Sequence, residues 1–140
     1  MGVLAVALGV TVSVAVASGT KETVTVTGPP PWVIEMDDRP VGESKIELVN
    51  DSPGPHVLIV YKIPNGTTTE QLRLLLDSGA PPPAGAFEVG DVFAKPGNRA
   101  QKKFQFEQTG TYGFFCPIPT PAGVPHFNLG FVGTFEVTPA

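Results

Sequence analysis

Cysteine and histidine are scarce in this sequence of 140 residues, which contains one cysteine and two histidines. A single cysteine cannot form a disulfide within the chain, so Cys116 is a free thiol, an intermolecular bridge or a metal ligand. Basic residues are also few and form no cluster, and the net charge is −4. The sequence therefore gives no reason to expect a nucleic acid as a partner.

Charged residues make up only 16% of the chain, whereas glycine and proline each occur 16 times. So much glycine and proline argues against a helical bundle and favours many short strands connected by turns. A chain of this length is expected to form one domain with a single core.

The first 17 residues carry no charge and end in an Ala-Val-Ala triplet. This pattern is typical of an export signal that is cleaved before Ser18, and the segment is too short for a comfortable membrane span. The alternation of valine with small residues over 12–17 fits an additional N-terminal strand instead. We therefore expect residues 1–17 to be an export signal, or alternatively a strand, and residues 18–140 to form the single domain.

Most of the remaining sequence has the hydrophobic pattern of β-strands. Such segments are predicted at 23–28, 32–36, 44–50, 56–63, 103–106, 111–115 and 131–137. The segment 56–63 is a continuous apolar run, as expected of a central strand that is buried on both faces. Residues 80–91 give no clear signal and are interpreted as a loop.

Residues 67–79 depart from the strand pattern. They combine a threonine that can cap a helix, Glu70 in the first turn, leucines at 72, 75 and 76, and Gly79 as a terminator. These features predict one short helix. Seven or eight strands with one helical insertion predict an all-β fold, an antiparallel β-sandwich with Greek-key connections.

His56, Cys116 and His126 are the only imidazole and thiol side chains in the chain. His56 begins a predicted strand after a Pro/Gly turn, Cys116 ends another, and His126 precedes the last strand. If the strand of His56 and the last strand are neighbours in a Greek-key sandwich, the three side chains converge at one pole. Each residue alone has a simpler explanation, as a solvated histidine or a small buried thiol, but their joint placement favours a metal site.

Two imidazoles and one thiolate in a trigonal arrangement, with a weak or absent axial ligand, are typical of a blue-copper site. Thiolate is a soft ligand that holds Cu(I), and imidazole suits both oxidation states of copper. Zinc prefers a fourth donor that completes a tetrahedron, and none is evident. We therefore expect one copper ion bound by His56, Cys116 and His126.

The segments TYGFFC (111–116) and PHFNLGFVGTFEV (125–137) are similar to the pattern Y-x-F-x-C…H-x-x-x-G-M-V-G-x-x-x-V of the cupredoxins, the plastocyanin- and azurin-like blue copper proteins. The resemblance covers about residues 23–137, and the long Cys-to-His loop resembles a secreted bacterial branch. It implies that Cys116 is the thiolate ligand and His126 the second histidine. The stretch NDSPGPHVLIV resembles the one that bears the first ligand, His56.

The sequence departs from the cupredoxin pattern at two positions. Phe131 stands where the family has its axial methionine, and since a phenyl ring offers no lone pair, the resemblance implies three-coordinate copper with an empty axial position. Val57 stands where family members often carry an asparagine that ties the two ligand loops together. Met36, the only internal methionine, is not placed near Cys116 by any feature of the sequence.

The resemblance implies an electron carrier that cycles one copper ion between Cu(I) and Cu(II) in the periplasm, the cell envelope or the extracellular space. We expect a monomer without a membrane span in the mature chain, whose redox partner protein docks near His126. The alternatives are a copper-handling protein and an interaction module with a relict site. An enzyme is not expected, because related oxidases and nitrite reductases need more than two histidines and no oxyanion-stabilising group is recognisable.

Overall fold

The computed structural model describes residues 19–140, so the predictions for residues 1–17 lie outside the described residues. Within the described part, the chain forms eight strands and one α-helix. The strands are β1 Thr20–Thr27, β2 Arg39–Pro40, β3 Gly42–Asp51, β4 His56–Lys62, β5 Phe87–Ala94, β6 Arg99–Phe106, β7 Gly110–Phe115 and β8 Val132–Thr138. The helix is α1 Thr69–Asp77, and a 3-10 helix spans His126–Leu129. The predicted all-β sandwich with one short helix is confirmed.

The strands form a three-stranded sheet in the order β1-β3-β6 and a five-stranded sheet in the order β2-β8-β7-β4-β5. Most described pairings are antiparallel, as predicted, but β1 pairs with β3 and β2 pairs with β8 in parallel. The chain passes from the first sheet to the second after β1 and returns after β2. Such crossover connections permit parallel pairing, which a hairpin cannot form.

The main hydrophobic core lies between the two sheets and contains many aromatic rings. Phe104, Phe106, Tyr112, Phe114 and Phe135 are all almost completely buried there. Each comes from a strand in which inward-facing and outward-facing residues alternate. The core therefore holds the two sheets in one arrangement and supports the loops at their ends.

The predicted helix covers the other face of the five-stranded sheet. The Thr68 hydroxyl accepts a hydrogen bond from the backbone N–H of Gln71, whose side chain accepts one from the backbone N–H of Thr68. This capping box begins the helix, and Gly79 follows its end in the left-handed conformation, with φ of 67°. Leu72 packs in a second cluster with Ile63 and residues of β7 and β8. None of the helices within residues 19–140 is long and apolar enough to cross a membrane.

The strand predicted at residues 32–36 is wrong. Trp32, Ile34 and Met36 are buried while Val33 is 88% exposed, so the expected alternation is present. The segment nevertheless pairs with no strand among the described residues. The backbone N–H of Trp32 donates instead to the carbonyl of Leu129, the last residue of the 3-10 helix, at 2.8 Å. The alternation of apolar and polar residues indicates which side chains are buried. It does not indicate whether a neighbouring strand is available for backbone pairing.

The loop predicted at residues 80–91 is partly wrong, because β5 begins at Phe87. This strand lies at the edge of the five-stranded sheet and pairs with β4. Phe87 and Phe93 are exposed, and the strand contains Gly90, so its hydrophobic pattern is weak. The first five residues of β5 are exposed or half-buried on both faces, so they give no alternating signal from which a strand could be predicted.

Candidate metal centre

His56 is the first residue of β4 and is completely buried. Pro53 and Pro55 lie in the turn before it and restrict the backbone of that turn. Leu58 and Val60 follow on the same inward face of the strand. His56 is therefore the inward-facing residue of β4 that is nearest to one end of the sandwich.

Cys116 directly follows β7, and His126 begins the 3-10 helix. The carbonyl of Cys116 accepts a hydrogen bond from the N–H of Phe127 at 3.0 Å, and its N–H donates to the carbonyl of Phe131 at 3.1 Å. The N–H of His126 donates to the carbonyl of Ile118 at 2.9 Å. These backbone bonds fix the positions of Cys116 and His126 relative to each other.

The expectation that the strand of His56 lies beside the last strand is wrong, because β7 separates β4 from β8. Both β4 and β8 are antiparallel to β7, with Ile59 opposite Phe115 and Phe115 opposite Val132. The start of β4, the end of β7 and the start of β8 therefore meet at one end of the sheet. The three predicted residues converge there with Cys116 in the middle.

The three side chains approach one another closely. Cys116 Sγ lies 3.4 Å from His126 Nδ1 and 3.9 Å from His56 Nδ1. One ligand atom from each residue lies within 4.8 Å of the other two. All three side chains are buried, with His126 the most accessible at 4%. The structure thus brings together the three residues that the sequence singled out, and both imidazoles direct Nδ1 at the thiol.

Phe131 lies beside this group and is completely buried. Its ring stacks on that of His56 with centroids 5.3 Å apart. The preceding Gly130 has φ of 103°, and a Cβ atom there would lie 1.8 Å from the carbonyl oxygen of Trp32. Only glycine fits this backbone conformation and this contact, which accounts for the Gly-Phe pair at the end of the loop.

The surroundings of the three residues shift their protonation. Burial lowers the pKa of His56 to about 4, and the nearby His126 acts in the same direction. Burial also lowers the pKa of His126. Burial raises the pKa of the Cys116 thiol, against the opposing effect of the backbone N–H groups of Val57 and Ile118. Both imidazoles are therefore neutral near pH 7, and the thiol releases its proton when it binds a cation.

The backbone N–H of Val57 donates to Cys116 Sγ at 3.4 Å. This bond joins the loop of the first histidine to the loop of the cysteine. The asparagine that the cupredoxin pattern places at position 57 links the same two loops through its side chain. Here the valine offers no such side chain, and the backbone supplies a connection.

Trp32, which no sequence pattern singles out, contacts both histidines edge-on with its ring. The ring centroids lie 4.9 Å from His56 and 5.0 Å from His126. The indole N–H donates to the carbonyl of Gly28 at 3.0 Å, and the residue is 8% exposed. No local pattern predicts this contact, because it depends on how the segment between β1 and β2 packs beside residues 130–134.

Ser52 and Asn50 also lie beside His56, although no sequence pattern singles them out. Ser52 Oγ lies 2.7 Å from His56 Nε2 and 2.6 Å from Asn50 Oδ1. Serine and asparagine are common in turns, so neither attracts notice in a sequence. Their position behind His56 becomes apparent only in the folded chain.

A surface cavity of about 520 Å³ lies next to the two histidines. Its walls are mostly apolar and come from three segments of the chain. They comprise Pro30, Trp32, Pro53, Gly54, Pro55, His56, Pro119, Thr120, Pro121 and His126. Both imidazoles border this cavity, yet they are almost completely buried, with His56 0% and His126 4% exposed.

No protein-family model matches the sequence, and no curated protein matches it. Solved structures do match. Reduced auracyanin from the photosynthetic bacterium Roseiflexus castenholzii superposes with a TM-score of 0.59 at 21% identity, covering 86% of this chain and 98% of that one. Auracyanin A, a blue copper protein from the green thermophilic photosynthetic bacterium Chloroflexus aurantiacus, gives 0.56 at 16% identity, covering 86% and 99%.

Larger copper enzymes contain the same architecture as part of a longer chain. Copper nitrite reductase from Nitrosomonas europaea matches with a TM-score of 0.53 at 14% identity, covering 86% of this chain but 42% of that one. At such identities the similarity concerns the fold. The two-sheet topology and the match over nearly the whole length of the auracyanins lead to one conclusion: this chain has the cupredoxin fold.

Proposed function

We propose that His56, Cys116 and His126 bind one copper ion and that the protein carries single electrons between other proteins. The observation that best supports this proposal is the approach of two imidazole Nδ1 atoms to one buried thiol, at 3.4 and 3.9 Å. Burial of these polar groups opposes folding, since each loses its hydration. Together, however, they form a set of ligands for a metal ion.

The donor set fits copper better than zinc. The group of possible ligands within residues 19–140 contains two histidines and one cysteine, with no carboxylate. Structural zinc sites close their tetrahedron with a fourth protein donor. Two imidazole nitrogens and a thiolate are instead the trigonal set of blue-copper sites, and a soft thiolate favours copper.

A bound copper ion would supply a couple between Cu(I) and Cu(II), and the protein would keep its ligands in place in both states. The hydrogen bonds of Cys116 to Phe131 and Phe127 hold the ends of the ligand loop. Because all three ligands are buried among packed side chains, they have little freedom to move when the charge changes. Small rearrangement is what rapid electron transfer requires.

Phe131 would occupy the axial position without binding. Its ring is completely buried beside His56 and has no lone pair for a metal ion. A phenyl ring also excludes water, which would otherwise offer an oxygen ligand that stabilises Cu(II). Both properties favour Cu(I), so we expect a high reduction potential for a site of this class.

The electron would enter and leave through His126. This histidine lines the apolar cavity together with Pro119 and Pro121, and it is the more accessible of the two imidazoles. Weak redox encounters use small contact areas, and a rigid apolar rim suits such an encounter. We propose that a redox partner protein docks here on a monomeric carrier.

We also propose that the protein acts outside the cytoplasm, as a domain of residues 18–140 released from an export signal at residues 1–17. The uncharged, apolar N-terminus supports this proposal. N-terminal sequencing of protein exported from cells would find Ser18 first. A mature protein that retains the first 17 residues would contradict it.

A carrier is favoured over an oxidase or a reductase because the chain has only two histidines and both belong to one group. A second copper centre would need further imidazoles or thiols. In the copper nitrite reductase that shares the fold, the matching region makes up only 42% of the chain. The auracyanins, by contrast, are matched over 98% and 99% of their own length.

Titration of the metal-free protein with Cu(II) tests the proposal. One equivalent should produce the intense visible absorption of a copper–thiolate bond, and ascorbate should bleach it reversibly. Cys116→Ser should fold but give no colour, while Zn(II) added to the wild type should also give none. A protein that binds one Cu(II) at this site and stays colourless would contradict the proposal.

A further inference from the structure

We propose that Ser52, held by Asn50, is a positioning residue that fixes His56 in the tautomer protonated on Nε2, with the lone pair of Nδ1 directed at Cys116. The inference concerns which imidazole nitrogen is free to bind, so it rests on the proposed metal-binding role of His56. It follows from the donors and acceptors of one buried chain of hydrogen bonds.

The orientation of the Asn50 amide is determined by its neighbours. Asn50 is completely buried, and its Nδ2 donates to the carbonyls of Gly54 at 2.8 Å and Ala94 at 2.9 Å. Its Oδ1 accepts from the backbone N–H of Ser52 at 3.0 Å. Reversing the amide would place an oxygen against two carbonyls and an NH2 against an N–H, so only one orientation is compatible.

The Ser52 hydroxyl proton is therefore already used. Ser52 Oγ lies 2.6 Å from Asn50 Oδ1 and 3.2 Å from the carbonyl oxygen of Gly54. Both of these atoms accept hydrogen bonds and neither can donate one. Since a hydroxyl has a single proton, Ser52 can only accept from its remaining neighbour, the imidazole of His56.

His56 Nε2 lies 2.7 Å from Ser52 Oγ and must carry the proton that this bond requires. A neutral imidazole has one N–H, so Nδ1 is left with its lone pair. Nδ1 is the nitrogen that lies 3.9 Å from Cys116 Sγ. The Asn50–Ser52 pair thus selects the tautomer that can bind a metal ion at Nδ1 and also prevents the ring from turning over.

His126 lacks an equivalent partner among the described residues. Its Nδ1 faces the thiol, but no hydrogen bond is formed by its Nε2, and its ring borders the apolar cavity. The two ligands are therefore unequal: His56 is anchored inside the protein, and His126 is held mainly by its backbone. The anchor also increases the basicity of His56 as a ligand, because its N–H is hydrogen bonded.

The imidazole 15N shifts of the metal-free protein at pH 7 provide the test. The wild type should show His56 with Nε2 protonated and Nδ1 unprotonated. Ser52→Ala should give an average of both tautomers at His56, and Ser52→Thr, which retains the hydroxyl, should restore the wild-type shifts. Ser44→Ala is the matched control, because Ser44 is a buried serine on β3 whose hydroxyl bonds to Thr20.

Copper affinity provides the second measurement, by competition between the protein and a chromophoric Cu(I) chelator. We expect Ser52→Ala to bind about 10-fold more weakly than the wild type, as for other partners of ligating histidines. Ser44→Ala should bind as the wild type does. Equal losses in Ser52→Ala and Ser44→Ala would mean that buried serines matter only for packing, and would overturn the proposal.

The wild-type spectrum decides the tautomer by itself, even if Ser52→Ala does not fold. A His56 protonated on Nδ1 in the wild type would overturn the proposal, as would unchanged His56 shifts in folded Ser52→Ala. These outcomes do not depend on copper. A wild type that binds no copper would refute the proposed function, and the tautomer measurement would still test the role of Ser52.

Discussion

The backbone N–H of Cys116 donates a hydrogen bond to the carbonyl oxygen of Phe131, at 3.1 Å. This bond closes the loop that contains His126, and it places the proposed thiolate ligand next to the residue proposed to fill the axial position. A proline-rich loop connects the two residues along the chain. Substitutions at either end of this loop should therefore change the properties of the proposed copper site.

Replacement of Phe131 by methionine should lower the reduction potential of the copper-loaded protein. Methionine has nearly the volume of phenylalanine, so packing should change little, and its thioether can stabilise Cu(II) from the axial side. A tenfold change in the relative affinity for the two oxidation states corresponds to about 59 mV, and we expect a fall of about that size or somewhat more. Voltammetry would measure it.

Phe135→Met is the matched control for that comparison. Phe135 is buried in the main core, against Phe106 and Tyr112, away from the three ligands. Its substitution should destabilise the fold slightly and leave the potential unchanged. If Phe131→Met leaves the potential unchanged or raises it, Phe131 does not occupy the axial position.

Replacement of Gly130 by alanine should destabilise the metal-free protein by about 2–3 kcal/mol. The new Cβ would meet the carbonyl of Trp32 at 1.8 Å, in a backbone conformation with φ of 103°. Gly123→Ala is a control with φ of 85° and no atom within 4 Å, so it should lose only about 1 kcal/mol. Urea unfolding would compare them, and equal losses would argue against the contact with Trp32.

Acid should destabilise the metal-free protein through His56. Its pKa is lowered to about 4 in the folded state from the ordinary 6.5, so between these values the unfolded chain binds a proton that the folded chain does not. The contribution of neutral His56 to the free energy of unfolding is fully present above pH 6.5 and is lost as the pH falls towards 4. From pH 7 to pH 5 the loss should be about 2 kcal/mol, and the lowered pKa of His126 adds to it.

Urea unfolding at several pH values would measure this effect, with His56→Gln as the comparison. The glutamine variant should show a flatter dependence of unfolding free energy on pH between 5 and 7. The same slope in both proteins would mean that His56 titrates normally and is not buried in its neutral form.

Trp32 should report metal binding by its fluorescence, because it is the only tryptophan and its ring lies 4.9 Å and 5.0 Å from those of the two histidines. Cu(II) is paramagnetic and should quench most of the emission at one equivalent, whereas Zn(II) should not. Trp32→Phe should lose this signal and retain the blue colour. Undiminished emission in a fully loaded blue protein would place Trp32 away from the site.

The three proposed ligands could be predicted from the sequence because their chemistry is rare in this chain and their strands have clear boundaries. The helix was equally predictable, since Thr68, Leu72 and Gly79 provide local signals for its start, buried face and end. For the helix, the information is carried by neighbouring residues. For the three side chains, it is carried by their scarcity in the chain and by the resemblance to the cupredoxin pattern.

Other features depended on contacts between distant segments and were not predictable in this way. Residues 32–36 alternate like a strand, yet they lie beside residues 130–134 without pairing with them as a strand. This position depends on Gly130, because a side chain there would meet the carbonyl of Trp32. Ser52 and Asn50 look like ordinary turn residues until the position of His56 is known. Polar residues that form hydrogen bonds to the proposed ligands are therefore the hardest part of the site to predict from sequence patterns.

X-ray absorption fine structure at the copper edge, recorded on the oxidised and the reduced protein, tests the central claim most directly. The account predicts two nitrogen ligands and one sulfur ligand in both states, with nearly the same distances, because His56, Cys116 and His126 are buried and held by a hydrogen-bonded loop. Cys116→Ser should remove the sulfur contribution. A fourth ligand, a spectrum without sulfur, or the loss of a ligand on reduction would contradict a rigid, three-coordinate electron-transfer site.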